Sequence, residues 1–257
     1  MQHNRFRTIR TVLALVLREM TTTYGKSPGG YIWAILEPAG GIAMMSVAFG
    51  LVLRAPSLGT NFPIFYATGY LPYMLYMQVS QRTADSIKFS KPLLKYPSVT
   101  FIDALLARFV LNTLVHLMVF YVVILGILML FETHTIIHVP SIGRALAMAA
   151  GLGFAVGCMN CFLFSMFPVW RQIWKIVNRP MFIISTIFFT FEALPKAYQG
   201  WLWYNPLVHV VGEMRRGFYP TYDAVFVSYG FVVGLVLVLI AAGIGFLSLY
   251  YRIILNR

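Results

Sequence analysis

Six long apolar segments constrain this chain more than any other feature. They fall at about 30–53, 62–80, 101–130, 143–167, 173–192 and 225–250. Each is near the ~20 residues that cross a bilayer as a helix. The third is long enough to tilt or to extend past the bilayer. Only 11% of the chain's 257 residues are charged, where a soluble domain carries about a quarter. The expected fold is an all-α integral membrane protein. Residues 1–257 form a single transmembrane domain with six transmembrane helices.

Before the first segment, "RFRTIRTVLALVLREM" places Phe6, Ile9, Leu13, Val16 and Met20 on one helical face and Arg7, Arg10 and Arg18 away from it. This pattern predicts an amphipathic helix over 5–20, lying in the membrane interface. The N-terminal region has no short uniform apolar run with a small-residue cleavage site, so no cleaved signal peptide is expected.

Loop charges set the orientation. With the N-terminus inside, 15 of the 20 Lys and Arg residues fall on the cytoplasmic side and five outside. That bias places both termini in the cytoplasm and accounts for the net charge of +12 without nucleic acid. Two loops stand apart. Residues 81–98 are basic, with a short helix ending near Pro92. Residues 193–224 are outside yet mostly apolar, which predicts short re-entrant or interfacial helices before the last span. There Trp201, Trp203 and Tyr204 sit at headgroup level, and Asn205-Pro206 forms a turn.

The stretch Gly25-Lys26-Ser27 could end a nucleotide-binding P-loop. That motif needs a glycine five residues before its Gly-Lys pair, and a preceding strand. Met20 holds the glycine position and an amphipathic helix precedes it. The stretch therefore reads as a hinge, with Pro28, Gly29 and Gly30, and no ATP site is expected here.

No catalytic or metal constellation emerges. Cys158 and Cys161 lie within an apolar segment, where they read as small packing residues. Glu37 and His116 are the clearest intramembrane ionisable groups; a functional role and an interhelical hydrogen bond both remain open. The Gly153–Gly157 and Gly230–Gly234 spacings predict close helix approach. No internal repeat is visible, which counts against an inverted-repeat secondary transporter. Tyr66, Tyr70, Tyr73 and Met77 share one helical face. Packing accounts for aromatics of this kind, and so does a sugar path, since rings stack on sugars and phenols hydrogen-bond to them.

Two stretches, "LREMTTTYGKSPGGYIWAILEP" and "LWYNPLVHVVGEMRRGFY", resemble the permease subunit of bacterial ABC exporters for capsular polysaccharide, in the type-two exporter class. The spans and the 81–98 loop match in order and length. The resemblance implies a homodimer paired with two copies of a separate ATPase. ATP and Mg would be held by those partners, with no cofactor in this chain. It also implies a co-polymerase-like periplasmic partner, an outer-membrane exporter, and a lipid-linked polysaccharide as cargo. The channel lining it implies comprises Trp33, Tyr66, Tyr70, Tyr73, Phe188 and Phe189. Arg18, Lys26 and Arg82 would meet the lipid head at the cytoplasmic mouth. Arg7, Arg10, Asp85, Lys88, Lys91 and Lys95 would couple to the ATPase. Trp201, Trp203, Asn205, Pro206, Arg215 and Arg216 would belong to a periplasmic gate hairpin. Thr22 and Thr23 stand where the family often carries basic residues. An exporter of O-antigen or teichoic acid, and an ion-coupled secondary transporter, are the alternatives.

Overall fold

A computed structural model describes residues 7–24, 30–95, 99–133 and 135–256. Among them there is no strand. The helices are α1 (Arg7–Glu19), α2 (Gly30–Gly50), α3 (Phe62–Ala84), α4 (Ser86–Ser90), α5 (Phe101–Leu130), α6 (Val139–Met166), α7 (Trp170–Ile184), α8 (Lys196–Leu202), α9 (Pro206–Arg216) and α10 (Tyr229–Asn256). Four of these, α2, α5, α6 and α10, contain stretches long and apolar enough to cross a membrane.

The centre of the bundle is α3, which packs chiefly against α6 and α5. Its less apolar composition follows from that place. Thr68, Ser80 and Thr83 are buried against protein, and Thr68 donates to the Phe65 carbonyl, so these three hydroxyls are enclosed by the bundle. The α6 face that meets α3 is made by glycine. A Cβ on Gly153 would lie 2.8 Å from the Tyr76 carbonyl oxygen, and one on Gly157 would lie 2.6 Å from Thr83 Cβ. The first small-residue pair therefore serves packing within the chain. The second pair differs: nothing lies within 4 Å of a Cβ on Gly230 or Gly234. Gly157→Ala should cost about 1–3 kcal/mol by overpacking, read as a lower melting temperature of the solubilised protein. Gly234→Ala should leave it unchanged or raise it.

The amphipathic helix is present as α1, with two apolar faces. Val16, flanked by half-buried Val12 and Leu15, joins the main core, whereas Ile9 and Leu13 stay exposed. Residues Met20–Tyr24 continue α1 as a π-helical turn. The Thr21 and Thr22 hydroxyls both donate to the Arg18 carbonyl. Such local bonds compete with the helical ladder and favour its end here.

α5 opens with a full capping box: Thr100 Oγ1 accepts from the Asp103 N–H, and the Asp103 carboxylate accepts from the Thr100 N–H. Its bounds agree with the third apolar segment.

The fifth segment, 173–192, requires correction. It is not one continuous span. α7 ends at Ile184, Thr186 takes a positive φ of 58°, and a 3₁₀ turn follows at Phe191–Ala193. Pro180 lies inside α7 and removes one helical donor. The non-helical backbone after Ile184 survives because protein buries it. Gly69 of α3 permits this: a Cβ there would lie 3.1 Å from Ile187 Cα.

The 81–98 segment contains the expected short helix, α4, which ends before Lys91-Pro92, and a 3₁₀ turn at Leu93–Lys95. The 193–224 segment contains α8 and α9. Asn205 caps α9, its Oδ1 accepting from the Leu207 N–H at 3.0 Å, and Pro206 is the first helical residue.

Candidate functional site

Two polar clusters and one aromatic cluster hold most of the residues that sequence singles out. The first polar cluster lies where α1, the end of α3, α4 and the start of α5 meet. Arg108 stands at its centre. Its Nε lies 3.2 Å from Glu19 Oε1, with both side chains about 5% exposed or less. Its Nη1 donates to the Arg82 carbonyl at 2.9 Å, and its guanidinium lies 4.1 Å from the Phe89 ring centre. One arginine thus ties α1 to the α3–α4 junction and to α5. Burial pushes the Glu19 carboxyl above its ordinary range, and Arg108 pulls the other way.

Beside it, Asp85 accepts from Gln81 Nε2 at 2.9 Å and pairs with Arg171 Nη2 at 2.7 Å. Arg82, Lys88, Arg108 and Arg171 line a cavity of about 600 Å³ there. Arg18 lies 5.5 Å from the Phe89 ring centre. Arg10 and Lys88 are exposed. Lys26 lies outside the described residues, as do the side chains of Arg7 and Lys95. Lys91 is half-buried behind α4.

The aromatic cluster joins α2, α3 and the unwound segment. Phe188 is its hub, with ring centres 5.3 Å from Phe49, 6.2 Å from Tyr66 and 5.2 Å from Phe182. Phe182 also meets Tyr70 and Tyr73 edge-on. Tyr66 and Tyr73 are buried, while Tyr70 and Phe188 are half-buried. Trp33 stands apart on α2, 62% exposed.

The second polar cluster organises the α8–α9 segment. Arg215, 1% exposed, donates to the Phe189 and Ile187 carbonyls at 2.7 and 2.9 Å. Its guanidinium lies 4.3 Å from the Phe65 ring centre. Those carbonyls belong to the non-helical backbone after α7, so Arg215 supplies the donors that segment lacks. Burial lowers its pKa to about 10; it remains a cation at neutral pH. Glu213, fully buried, accepts from Arg144 Nε and from the Tyr229 hydroxyl, both at 2.8 Å. Arg216, more exposed, lies 3.9 Å from the same carboxylate. Trp201 and Tyr204 are exposed. Trp203 differs from them: it is half-buried and turns inward, its Nε1–H donating to the Phe226 carbonyl at 3.0 Å.

Sequence reasoning missed Glu19, Arg108, Arg144, Arg171 and Glu213 as structural partners. Arg108 within an apolar run was the one visible signal. Glu37 is exposed on α2. The His116 Nδ1 bond goes to Asn112 of its own helix. Cys158 and Cys161 are buried and unbridged. The Cys158 backbone packs against Gly243 of α10, and Cys161 Sγ lies 3.5 Å from Ser86 Oγ.

His209 links α9 to the chain after it. Its Nδ1 accepts from the Ser228 N–H, so its Nε2–H donates to the Trp203 carbonyl. Burial lowers its pKa. A base depressed in this way stabilises the fold fully above its unfolded pKa of about 6.5, and that contribution is lost as pH falls. Melting temperature should therefore drop between pH 7 and pH 5, and His209→Gln should flatten part of that slope. An equal slope in the variant would count against this role.

An all-helical bundle with four stretches apolar enough to cross a membrane is consistent with an integral membrane protein, and relatives of known class agree. The chain is 31% identical over 234 residues to the polysialic acid transport protein KpsM of Escherichia coli, covering 91% of each. It is 27% identical over 239 residues to the capsule polysaccharide export inner-membrane protein BexB of Haemophilus influenzae, covering 91% of this chain and 89% of that one. It is also 27% identical over 248 residues to CtrC of Neisseria meningitidis serogroup B, named likewise, covering 95% and 92%. No family model matches the sequence. The chain belongs to the family of capsule polysaccharide export inner-membrane proteins. It is a transmembrane transport subunit of that class.

Proposed function

We propose that this chain is the membrane half of an ATP-driven exporter of lipid-linked capsular polysaccharide. Two copies form the channel and two separate ATPase chains drive it, holding ATP and Mg themselves. Six membrane passes with both termini cytoplasmic complete the topology: α3 joins the four most apolar helices, and the fifth pass is a broken one, α7 followed by the non-helical backbone up to Phe191. The observation that carries this reading is the Arg108 cluster, which fastens a surface-lying helix and a short loop helix to the spans. Two pieces on the membrane surface, rigidly joined to α5, suit transmission of motion from a partner to the spans. On this reading Arg10, Asp85, Lys88 and Lys91 meet the ATPase, with Arg7 and Lys95. Arg18 and Arg82, with Lys26, meet the anionic lipid end. α8 and α9 form the periplasmic gate and face the periplasmic and outer-membrane export partners.

Within the channel, the half-buried aromatics offer repeated weak contacts to a sliding polymer. Tyr70→Ala should lower capsule export by several-fold while co-purification with the ATPase is preserved. Wild-type export would return Tyr70 to packing against Phe182 alone. The whole reading is tested by deleting the gene, restoring it on a plasmid, and measuring surface capsule. Normal capsule in the deletion strain would remove capsule as the cargo. Appreciable ATP hydrolysis by the chain without a partner would remove the division of labour.

A further inference from the structure

Segment 170–179 of α7 has a break at each end. Phe167 leaves α6 in extended backbone, and Pro180 interrupts the α7 ladder by removing the donor to the Ile176 carbonyl. No residue of α7 is buried within the chain, and Ile173, Ile176 and Val177 are exposed. A cavity of about 360 Å³ separates the segment from α3, with Met77 and Gln81 on one wall and Trp174 and Asn178 on the other. The backbone beyond the segment is fixed by contrast. Arg215 donates to the Ile187 and Phe189 carbonyls, and Asn205 Nδ2 donates to the Ile184 carbonyl at 3.2 Å.

Polar contacts position the segment instead. Trp170 Nε1–H donates to Asn160 Oδ1 of α6 at 3.0 Å and marks a pivot. The Tyr73 hydroxyl reaches the Asn178 carbonyl only at 3.5 Å, too long for a strong bond. Arg171 lies 2.7 Å from Asp85, the one ion pair of α7 among the described residues. Asp85 stands between α3 and α4, and its other oxygen accepts from Gln81, which orients the carboxylate. This pair differs in kind from Glu19–Arg108. The latter is almost completely buried, so opening it would strand a charge. The Asp85 and Arg171 side chains are 27% and 29% exposed, so water can take up both ions when they part. One pair is a permanent joint; the other can open and close.

We infer that the Asp85–Arg171 pair is a releasable clasp and that Arg171 is a positioning residue for transport. Paired, it holds segment 170–179 beside α3; released, the segment rocks between its two breaks and widens the α3–α7 cavity. This rests on the exporter reading above, in which α4 meets the ATPase. α4 begins at the residue after Asp85, so a displacement of α4 reaches the carboxylate directly. The Trp170–Asn160 bond and the Arg215 grip hold the two ends, which confines the motion to the segment between them. The Glu19–Arg108 joint stays closed. It keeps α1, α5 and the α3–α4 junction together as the frame against which α7 moves.

The test uses the chain with its ATPase in nanodiscs, and the same variants in the deletion strain. Arg171→Ala should melt close to wild type, because an exposed pair adds little stability. Its complex should hydrolyse ATP within about two-fold of wild type, yet surface capsule should fall about five-fold. Arg171→Lys should retain most export. Exchanging the charges, Asp85→Arg with Arg171→Asp, should restore it, which a role in docking the ATPase would not predict. The motion is read at Met77→Cys, half-buried on the α3 wall of the cavity; Cys158 and Cys161 are buried and give little background. A maleimide should label Met77→Cys about five-fold faster when Arg171→Ala is added, as local opening requires. ATP should speed labelling when the pair is intact. Wild-type export by Arg171→Ala overturns the proposal. So does a charge exchange that folds and hydrolyses ATP without restoring export, and so does equal labelling with and without the pair. The exporter reading fails separately, through normal capsule in the deletion strain.

Discussion

Arg215→Met should be among the most damaging single substitutions in this protein. The side chain is enclosed, and its two carbonyl partners lie in backbone that has no helical donors of its own. Methionine approximates the length but brings no N–H. Two buried carbonyls would then lack partners, at about 1–3 kcal/mol each. The loss of the guanidinium over Phe65 adds to this. A total of about 3–5 kcal/mol is expected, as a large drop in melting temperature and in yield of folded protein. Arg215→Lys should fall between the two, because a point ammonium does not reproduce the planar fork. An unchanged melting temperature for Arg215→Met would show that the 185–190 backbone is held by other means.

The same residue shows where sequence reasoning stops. Arg215 and Arg216 look alike in the sequence, two cations at the end of an outer helix. The fold separates them: one is a buried donor to a broken span, the other a half-exposed neighbour of Glu213. Nothing local distinguishes them, because Ile187 and Phe189 are brought to Arg215 only by tertiary packing. For the same reason the fifth apolar segment reads as one span. Its composition is apolar throughout, and the donor that permits its break lies on another helix. Features set by neighbours in the chain were legible. The bounds of α5, the chain break at Asn205-Pro206 (read as a turn, found as the cap of α9), the short helix before Pro92 and the close approach at Gly153 and Gly157 all follow from local periodicity, turn chemistry or side-chain size. The tyrosine face was legible as a face. What covers it was not, because Phe188 reaches Tyr66 through the unwound segment.

Breaking the Glu19–Arg108 pair should produce the other large effect. Both side chains are almost completely buried, so removing one leaves an uncompensated charge, at about 3–5 kcal/mol. Glu19→Ala and Arg108→Ala should each lower melting temperature sharply and reduce export. Those losses alone do not separate stability from transmission. The double variant Glu19→Leu with Arg108→Met does, since replacing a buried ion pair with apolar residues is often neutral or stabilising. Melting should return towards wild type in this chain. Export should stay low if the arginine is needed to hold α1, the Arg82 carbonyl and Phe89 in one rigid junction. A double variant that melts and exports like wild type would confine the pair to packing. The coupling role would then pass to the exposed residues of α1 and α4. The outcome depends on geometry rather than charge: methionine can fill the space between α1 and α5, yet it cannot donate to the Arg82 carbonyl.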